Sequence, residues 1–565
     1  MKDSLDNRHF DAIVIGSGIS GGWAAKELCE HGLKTLMLER GKDVKHIKDY
    51  PTAHHDIWQF EHHNRVPLSV SKDNPIVSKC YAYGEDTMHF FTKDSEQPYI
   101  QEQPFDWIRS YQVGGKSLTW ARQVQRWSDF DFEGPARDGF AVDWPIRYKD
   151  IAPWYSHVER FIGVSGKKEG NTSMPDGEFL PPFELNSIEK MIQRSINTSY
   201  TDRQVISGRC AHVTKPQPVH IAQGRTQCMA RSLCNRGCPF GGYFSSNAST
   251  IPWATKTGNL TLRPDAVVES ILYDDIQGKA IGVQIVDRIT KEVHQYYARV
   301  IFLNASALAS NQILLNSKSQ RFPSGLGNDN GLLGRYVAFH NYMGHISAEV
   351  DGFEDKYYYG RRPTQPLIPN FRNVHQQDTD FLRGYASFFS AYRNAADHSA
   401  EGVGADYKDA LLMPGKWRVF MMMQGETIPH AKNHVRLSDT AVDGYGIPQL
   451  ITSVGYQEND YKSLEDFLTQ GAEMLDVAGA KNIQQNRIAK NPGLDIHEMG
   501  GARMGHDPKT SILNKWNQVH SCPNVFVTDG ACMTSTGTQN PSLTFMALTA
   551  RAVDHAVSEM KKNNI

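Results

Sequence analysis

The first continuous apolar stretch, residues 11–15 (DAIVI), is short, rich in β-formers and bounded by polar positions. With no alternation, it suits a strand covered on both faces. It meets Gly16-Ser17-Gly18-Ile19-Ser20-Gly21-Gly22, and then residues 23–28 (WAAKEL), which predict a helix. A second apolar run, residues 34–38 (KTLML), ends at Glu39. Together they form a βαβ unit of about 30 residues. Apolar runs return at 260–273 (LTLRPDAVVESILY), 279–287 (KAIGVQIVD) and 299–304 (RVIFLN), followed by a small-residue helix start at 305–317 (ASALASNQILLNS). These read as strands completing a dinucleotide-binding sheet. From about 340 to 455 the pattern alternates, as in 417–426 (WRVFMMMQGE) and 433–438 (NHVRLS), which predicts an antiparallel sheet in a second lobe. Residues 524–530 (NVFVTDG) and a helix from about Ser542 restore the βα pattern.

The glycine turn carries the first chemistry. Gly16 permits a tight turn, Gly18 lets backbone approach a pyrophosphate, and Gly21 lets helix and strand pack closely. The helix N-terminus offers unpaired N–H groups and a positive dipole end to phosphates. Glu39, 18 residues beyond Gly21, is spaced to accept hydrogen bonds from ribose hydroxyls and would repel a 2′-phosphate. NAD and FAD share this fingerprint, so the turn does not choose between them.

Composition narrows the class. At 565 residues the chain exceeds one typical core, so two lobes are expected. A net charge of −2 with no basic run offers no electrostatic footprint for nucleic acid. No apolar run reaches the roughly 18 residues of a membrane span. The N-terminal residues carry no secretory pattern of their own. Cytoplasmic residence is therefore the expectation, with a periplasmic location only if a partner carrying a signal exports the chain.

Three of the eight cysteines lie within 11 positions, Cys228-x5-Cys234-x3-Cys238-Pro239. Zinc sites use paired CxxC knuckles and four ligands, neither of which is present here. Soft thiolates ending in Cys-Pro suit iron–sulfur ligation, and three of them match a 3Fe-4S cluster. Cys210 is a candidate fourth ligand, and three reduced structural thiols are the bland alternative. His54, His55, His62 and His63, with Glu61, match no metal spacing and read as a solvated loop. The GGKS at Gly114-Gly115-Lys116-Ser117 is not a P-loop, because Ser110 stands where that loop needs glycine.

Four segments together resemble the glucose–methanol–choline (GMC) flavin oxidoreductases, nearly end to end. They are the glycine turn with Glu39; residues 113–120 (VGGKSLTW); residues 497–505 (HEMGGARMG); and residues 527–530 (VTDG) running on to Gln539-Asn540-Pro541-Ser542. The resemblance implies an α/β fold with a Rossmann-like FAD-binding domain and a substrate lobe built on a largely antiparallel six-stranded sheet. The FAD domain is expected to be discontinuous (1–60, 100–130, 205–335 and 490–565, including the cysteine-rich segment). The substrate domain and its loops would take 61–99, 131–204 and 336–489.

By the same resemblance, Gly16, Gly18, Ile19, Ser20, Glu39 and Arg40 bind FAD, as do Gly114, Gly115 and Ser117. Val268, Ala305, Asp529, Gly530, Asn540, Pro541 and Ser542 complete that set. Thr119 occupies the place where pyranose oxidases of the family carry a flavin-linking histidine, so the FAD should be non-covalent. His497 would be the base that removes a hydroxyl proton while hydride moves to flavin N5, and Asn540 would position the hydroxyl. A neutral imidazole suits the first task, and an amide does not compete for the proton. The helix begun at Asn540-Pro541-Ser542 would point its N–H groups at the anionic end of the reduced flavin. The cysteine spacing resembles that of catalytic subunits of bacterial glucose and glucoside 3-dehydrogenases, whose cluster drains the flavin one electron at a time.

The implied reaction is oxidation of a sugar or glycoside ring hydroxyl, with C3 of a glucoside favoured. A small subunit and an external acceptor, cytochrome or quinone, are the expected partners. An oxygen-using oxidase of the same fold and a non-catalytic flavin or iron–sulfur carrier are the competing readings.

Overall fold

The computed structural model describes residues 8–356, 363–394 and 401–565. Its larger sheet has five parallel strands in the order Cys522–Val527, Val293–Leu303, His9–Ile15, Thr35–Leu38 and Leu260–Arg263. The absence of alternation in residues 11–15 has a direct cause. Ala12 and Val14 face a core shared with Met37, Phe302 and the helices, whereas Ile13 and Ile15 face a second core with Leu36, Leu38 and Leu303. Two antiparallel strands, Ala266–Asp274 and Lys279–Asp287, extend from Val293–Leu303. A short strand, Gln518–Val519, caps the other edge.

Helix Ile19–Glu30 lies on one face of this sheet against the C-terminal helix Ser542–Lys561. Its small residues bring it very close to the strand: a Cβ on Gly21 would stand 1.9 Å from the Gly16 carbonyl oxygen. Helix Tyr148–Ile162, in the stretch expected to serve the substrate lobe, also packs on the C-terminal helix, with Tyr155 Oη 2.8 Å from Thr544 Oγ1.

The second lobe carries a six-stranded antiparallel sheet. Its order is Leu367–Ile368, Tyr385–Arg393, Trp417–Glu426, Gly344–Val350 and Lys481–Arg487, with His340–Asn341 paired to the far end of Trp417–Glu426. Alternation separates its faces. Val419, Met421 and Met423 pack under helices Ser187–Ser199 and Glu458–Val477, while Phe420, Met422 and Gln424 face the central cavity. The region from 340 to 455 does not form one sheet, however. Residues 433–438 belong to strand His434–Val442 of a third, five-stranded sheet with Arg335–Ala338, Met499–Gly501, Pro448–Ser453 and Ile100–Gln101. Alternation identifies a half-buried strand but not its partner, and here the backbone of Gly334 and Val337 supplies the partner.

A buried ionic cluster sits between the six-stranded sheet and helix Asp129–Arg137. The Arg383 guanidinium is fully buried, 2.8 Å from Glu426, 3.0 Å from Asp138 and 3.8 Å from Asp131. Burial pushes the Asp131 carboxyl up to about 7, opposed by the charge of Arg383. Asp131 also accepts from Gln539 Nε2 at 3.0 Å, which ties the cluster to the residue preceding Asn540.

Candidate active site

The glycine turn opens a cavity of about 1070 Å³ between the lobes. Gly16 takes φ +98°, and a Cβ there would stand 2.4 Å from the Asn304 carbonyl oxygen. Gly18 differs: beyond its chain neighbours, a Cβ on it would meet none of the described residues within 4 Å. The protein crowds the first and third glycines and leaves the second open toward the cavity, as close approach of a pyrophosphate requires. Ile19 and Ser20, the first residues of the helix, line the same wall.

Glu39 ends its strand buried, which pushes its carboxyl up against the hydrogen bonds that favour the charged form. It accepts from the Ser17 backbone at 3.2 Å and the Gly41 backbone at 2.8 Å. Arg40 is held 3.0 Å from Asp443 and stacks over Tyr111 and Tyr445, and its Nε has no partner among the described residues.

Gly115, Lys116, Ser117 and Thr119 line the cavity from a short 3₁₀ turn, Gly115–Leu118. Gly115 reaches across to the glycine turn, its notional Cβ 3.6 Å from the Gly18 Cα. Gly114 does not line the cavity. It packs against the Asn247 amide and donates its N–H to Ser17 Oγ at 2.9 Å, so its part is to brace the turn. Val268, Ala305, Asp529 and Gly530 complete this side. Burial pushes Asp529 up to about 6, against hydrogen bonds from Ser310 Oγ at 2.5 Å and the Ala531 backbone at 2.9 Å. The residues present fit an FAD: a phosphate cradle, a buried ribose acceptor and a long polar-to-apolar cavity are contiguous.

Asn540, Pro541 and Ser542 line the opposite part, where helix Ser542–Lys561 begins with no side-chain cap. Asn540 Nδ2 lies 3.3 Å from His497 Nε2. A substrate hydroxyl would meet both in front of the pair, since 3.3 Å leaves no room between them. His497 Nδ1 lies 2.8 Å from His340 Nδ1. Burial first, then the neighbouring His340 ring and the Lys116 ammonium, hold His497 well below its ordinary value, so the imidazole is neutral. His340, Tyr342 and Gln424 were not foreseeable from motifs. His340 and Gln424 come from strands of the second lobe and Tyr342 from the link that follows His340–Asn341, and sheet register brings them to Asn540.

His340, Asp495 and His497 have ligand atoms within 4.8 Å of one another, the geometry of a metal site. The carboxylate is already engaged: Asp495 Oδ2 accepts from the backbones of His340 and His497 at 3.0 and 3.2 Å, and Oδ1 from Gly493 at 3.1 Å. The group reads as a hydrogen-bonded scaffold for the histidines.

Cys228, Cys234 and Cys238 are half-buried in one loop, and Cys234 lines the same cavity with Asn235. Among the described residues they form no single-ion site. In a cluster, by contrast, each thiolate binds its own iron and the ligands stand further apart. Burial, with Cys234 and Cys238 adding, pushes the Cys228 thiol up to about 11. Cys210 is fully buried, is pushed up to about 12 and is bonded to Ser165 Oγ at 3.2 Å, an environment that suits a structural thiol. His54, His55, His62 and His63 are all exposed.

Comparison with known proteins bears on this assembly. Models of the N- and C-terminal parts of the GMC oxidoreductases match residues 142–341 and 429–549. The chain is 27% identical to the 2-methyl-1,2-propanediol dehydrogenase of Mycolicibacterium austroafricanum, over 96% of this chain and 94% of that one. It is 26% identical to the fructose dehydrogenase large subunit of Gluconobacter japonicus, over 98% of each. A C-glycoside 3-oxidase from Microbacterium trichothecenolyticum is 24% identical over 54% of this chain and 55% of its own. Formate oxidase from Aspergillus oryzae, solved in a study of FAD modification, superposes with a TM-score of 0.62 at 12% identity, covering all of both chains.

Proposed function

The chain belongs to the GMC oxidoreductases, and from that premise we propose that it is an FAD-dependent dehydrogenase oxidising a ring hydroxyl of a sugar or glycoside, with C3 of a glucoside the favoured position. The carrying observation is a buried, neutral imidazole, His497, 3.3 Å from the Asn540 amide on the wall of the cavity that the glycine turn opens. The names of the fructose dehydrogenase and the C-glycoside 3-oxidase among its relatives support a carbohydrate substrate.

Bound FAD supplies the hydride acceptor. Gly16, Gly18, Glu39 and Arg40 would hold its nucleotide half, and Asp529, Gly530 and the Ser542 helix end its flavin half. His497 Nε2 takes the hydroxyl proton, and Asn540 Nδ2 donates to the substrate oxygen and keeps it in place. The face of the second-lobe sheet guides the rest of the substrate. From Gln424, beside Asn540, the face continues through Met422 to Phe420, with Phe388 and Ser390 opposite in register. Four residues of strand extend the cavity roughly 13 Å. That is further than a single pyranose ring reaches, and it favours a glycoside whose second moiety rests on Phe388, Phe420 and Met422.

Cys228, Cys234 and Cys238 would ligate a 3Fe-4S cluster that passes electrons outward to a cytochrome or quinone, with a small subunit as partner. The place of Cys234 on the wall of the same cavity supports this reading. The test is anaerobic turnover of the flavin-loaded protein with methyl glucoside. The expected result is dye reduction without peroxide, a 3-keto product and about three irons per chain with a matching EPR signal. Peroxide formation without iron would make the protein an oxidase. His497→Ala should lower flavin reduction at least ~100-fold, and an unchanged rate would reduce the protein to an electron carrier.

A further inference from the structure

His340 lies directly behind the base, on the side away from Asn540. Its Nε2 is 3.2 Å from the carbonyl oxygen of Thr536 and 3.0 Å from that of Gly537. A carbonyl oxygen only accepts, so His340 Nε2 carries a proton. The ring is fully buried and pushed down to about 4, which keeps it neutral, so its Nδ1 is bare. His497 Nδ1, 2.8 Å away, must therefore be the donor of that bond. His497 is itself neutral, and its Nε2 is left as the bare nitrogen.

The far end of the chain gives the same polarity independently. Tyr342 donates its hydroxyl to Gln424 Oε1. Gln424 Nε2 then donates to the Thr538 carbonyl at 2.8 Å and to Asn540 Oδ1 at 3.4 Å. The Asn540 amide is thereby oriented with Nδ2 toward His497 Nε2, which has to accept. Two sets of carbonyl oxygens, at opposite ends, fix every proton between them.

We propose that His340 is a positioning residue: locked by the Thr536 and Gly537 carbonyls, it holds His497 in the Nδ1–H tautomer and thereby makes Nε2 the base. When Nε2 takes the substrate proton, the Nδ1–H bond to His340 is retained and charge-assisted, while the Asn540 Nδ2–H that had pointed at Nε2 turns to the substrate oxygen. Tyr342 also faces His497, with ring centroids 6.1 Å apart, and the nearby Lys116 ammonium is held 3.3 Å from Glu498. Among the described residues no carboxylate bonds to either ring, and Asp495 accepts from the backbone N–H groups of the pair.

This inference rests on His497 being the base, and the experiment separates the two. The FAD-loaded enzyme is labelled with ¹⁵N-histidine, and the His497 resonances are assigned by their loss in His497→Gln. The expected pattern is a protonated Nδ1 and a bare Nε2 on His497, and the reverse on His340. The opposite tautomer on His497 would overturn the proposal even if His497→Ala is inactive, whereas an active His497→Ala would overturn the base itself. His340→Leu, similar in bulk but apolar, should slow flavin reduction about 100-fold with KM little changed. His340→Gln, which can both accept and donate, should recover to within about tenfold of the native rate. If Leu and Gln behave alike, His340 only fills space and the proposal fails. If neither variant folds, the tautomer pattern of the native enzyme alone decides.

Discussion

At the scale of single residues, the proposed chemistry depends on how far the surroundings move one imidazole. Burial first, then the neighbouring His340 ring and the Lys116 ammonium, lower the affinity of His497 for protons well below the usual 6.5. A lowered value means that the bare, competent form persists as the solution acidifies. The rate of flavin reduction by substrate, followed in a stopped-flow instrument, should therefore stay level from about pH 8 to about pH 6 and fall only well below that. A limb centred at or above 6.5 would contradict the environment described. Asn540→Asp reverses the sign, since a carboxylate beside Nε2 stabilises the imidazolium. The acid limb should then move up by about 1–3 pH units and the neutral-pH rate should drop. The amide avoids that penalty, which is the physical reason for asparagine at this place.

At the scale of elements, the glycine turn and its helix separate two kinds of requirement. Gly18→Ala adds a methyl group that meets, beyond its chain neighbours, none of the described residues within 4 Å, so the fold should be untouched while flavin binding weakens. Gly21→Ala drives a methyl group to 1.9 Å from the Gly16 carbonyl, so the helix must leave the strand at a cost of about 1–3 kcal/mol. Thermal melts of the flavin-free proteins, set beside flavin affinities, should show the first variant normal in stability and the second low in both. This element was legible because its signal is local: glycine spacing, a continuous apolar run and an acid at the strand end lie within one short unit. His497 and Asn540 were legible only through motifs. His340, Gln424 and Tyr342 were not, since strand alternation assigns a face but not a neighbour, and neither the pairing of His340–Asn341 with Trp417–Glu426 nor the diversion of residues 433–438 into a third sheet leaves a local trace. The cysteine spacing indicated thiolate chemistry, and the fold adds that Cys234 shares the wall of the flavin cavity.

At the scale of the whole molecule, the two lobes are held in register by buried charge as well as apolar packing. Arg383 joins the second-lobe sheet, through Glu426, to helix Asp129–Arg137, through Asp138 and the Phe130 carbonyl. Arg383→Met would leave the buried Glu426 and Asp131 carboxyls without their cation, while Asp138 keeps Arg137, at a cost of about 3–5 kcal/mol. Because Gln539 bonds to Asp131, flavin reduction should fall together with the melting temperature, and a stable variant of native rate would show the cluster to be dispensable. The cavity itself is assembled from distant segments. Its phosphate cradle is formed by residues 16–20 and its opposite end by the start of the helix at Ser542, whose preceding strand Cys522–Val527 must first pair beside Val293–Leu303. A nascent chain emerging from the ribosome therefore carries the first half of the site long before it can retain a prosthetic group, and loading must wait for the late-synthesised helix to dock. Nonsense fragments ending before that helix should accumulate colourless, as substrates for proteases.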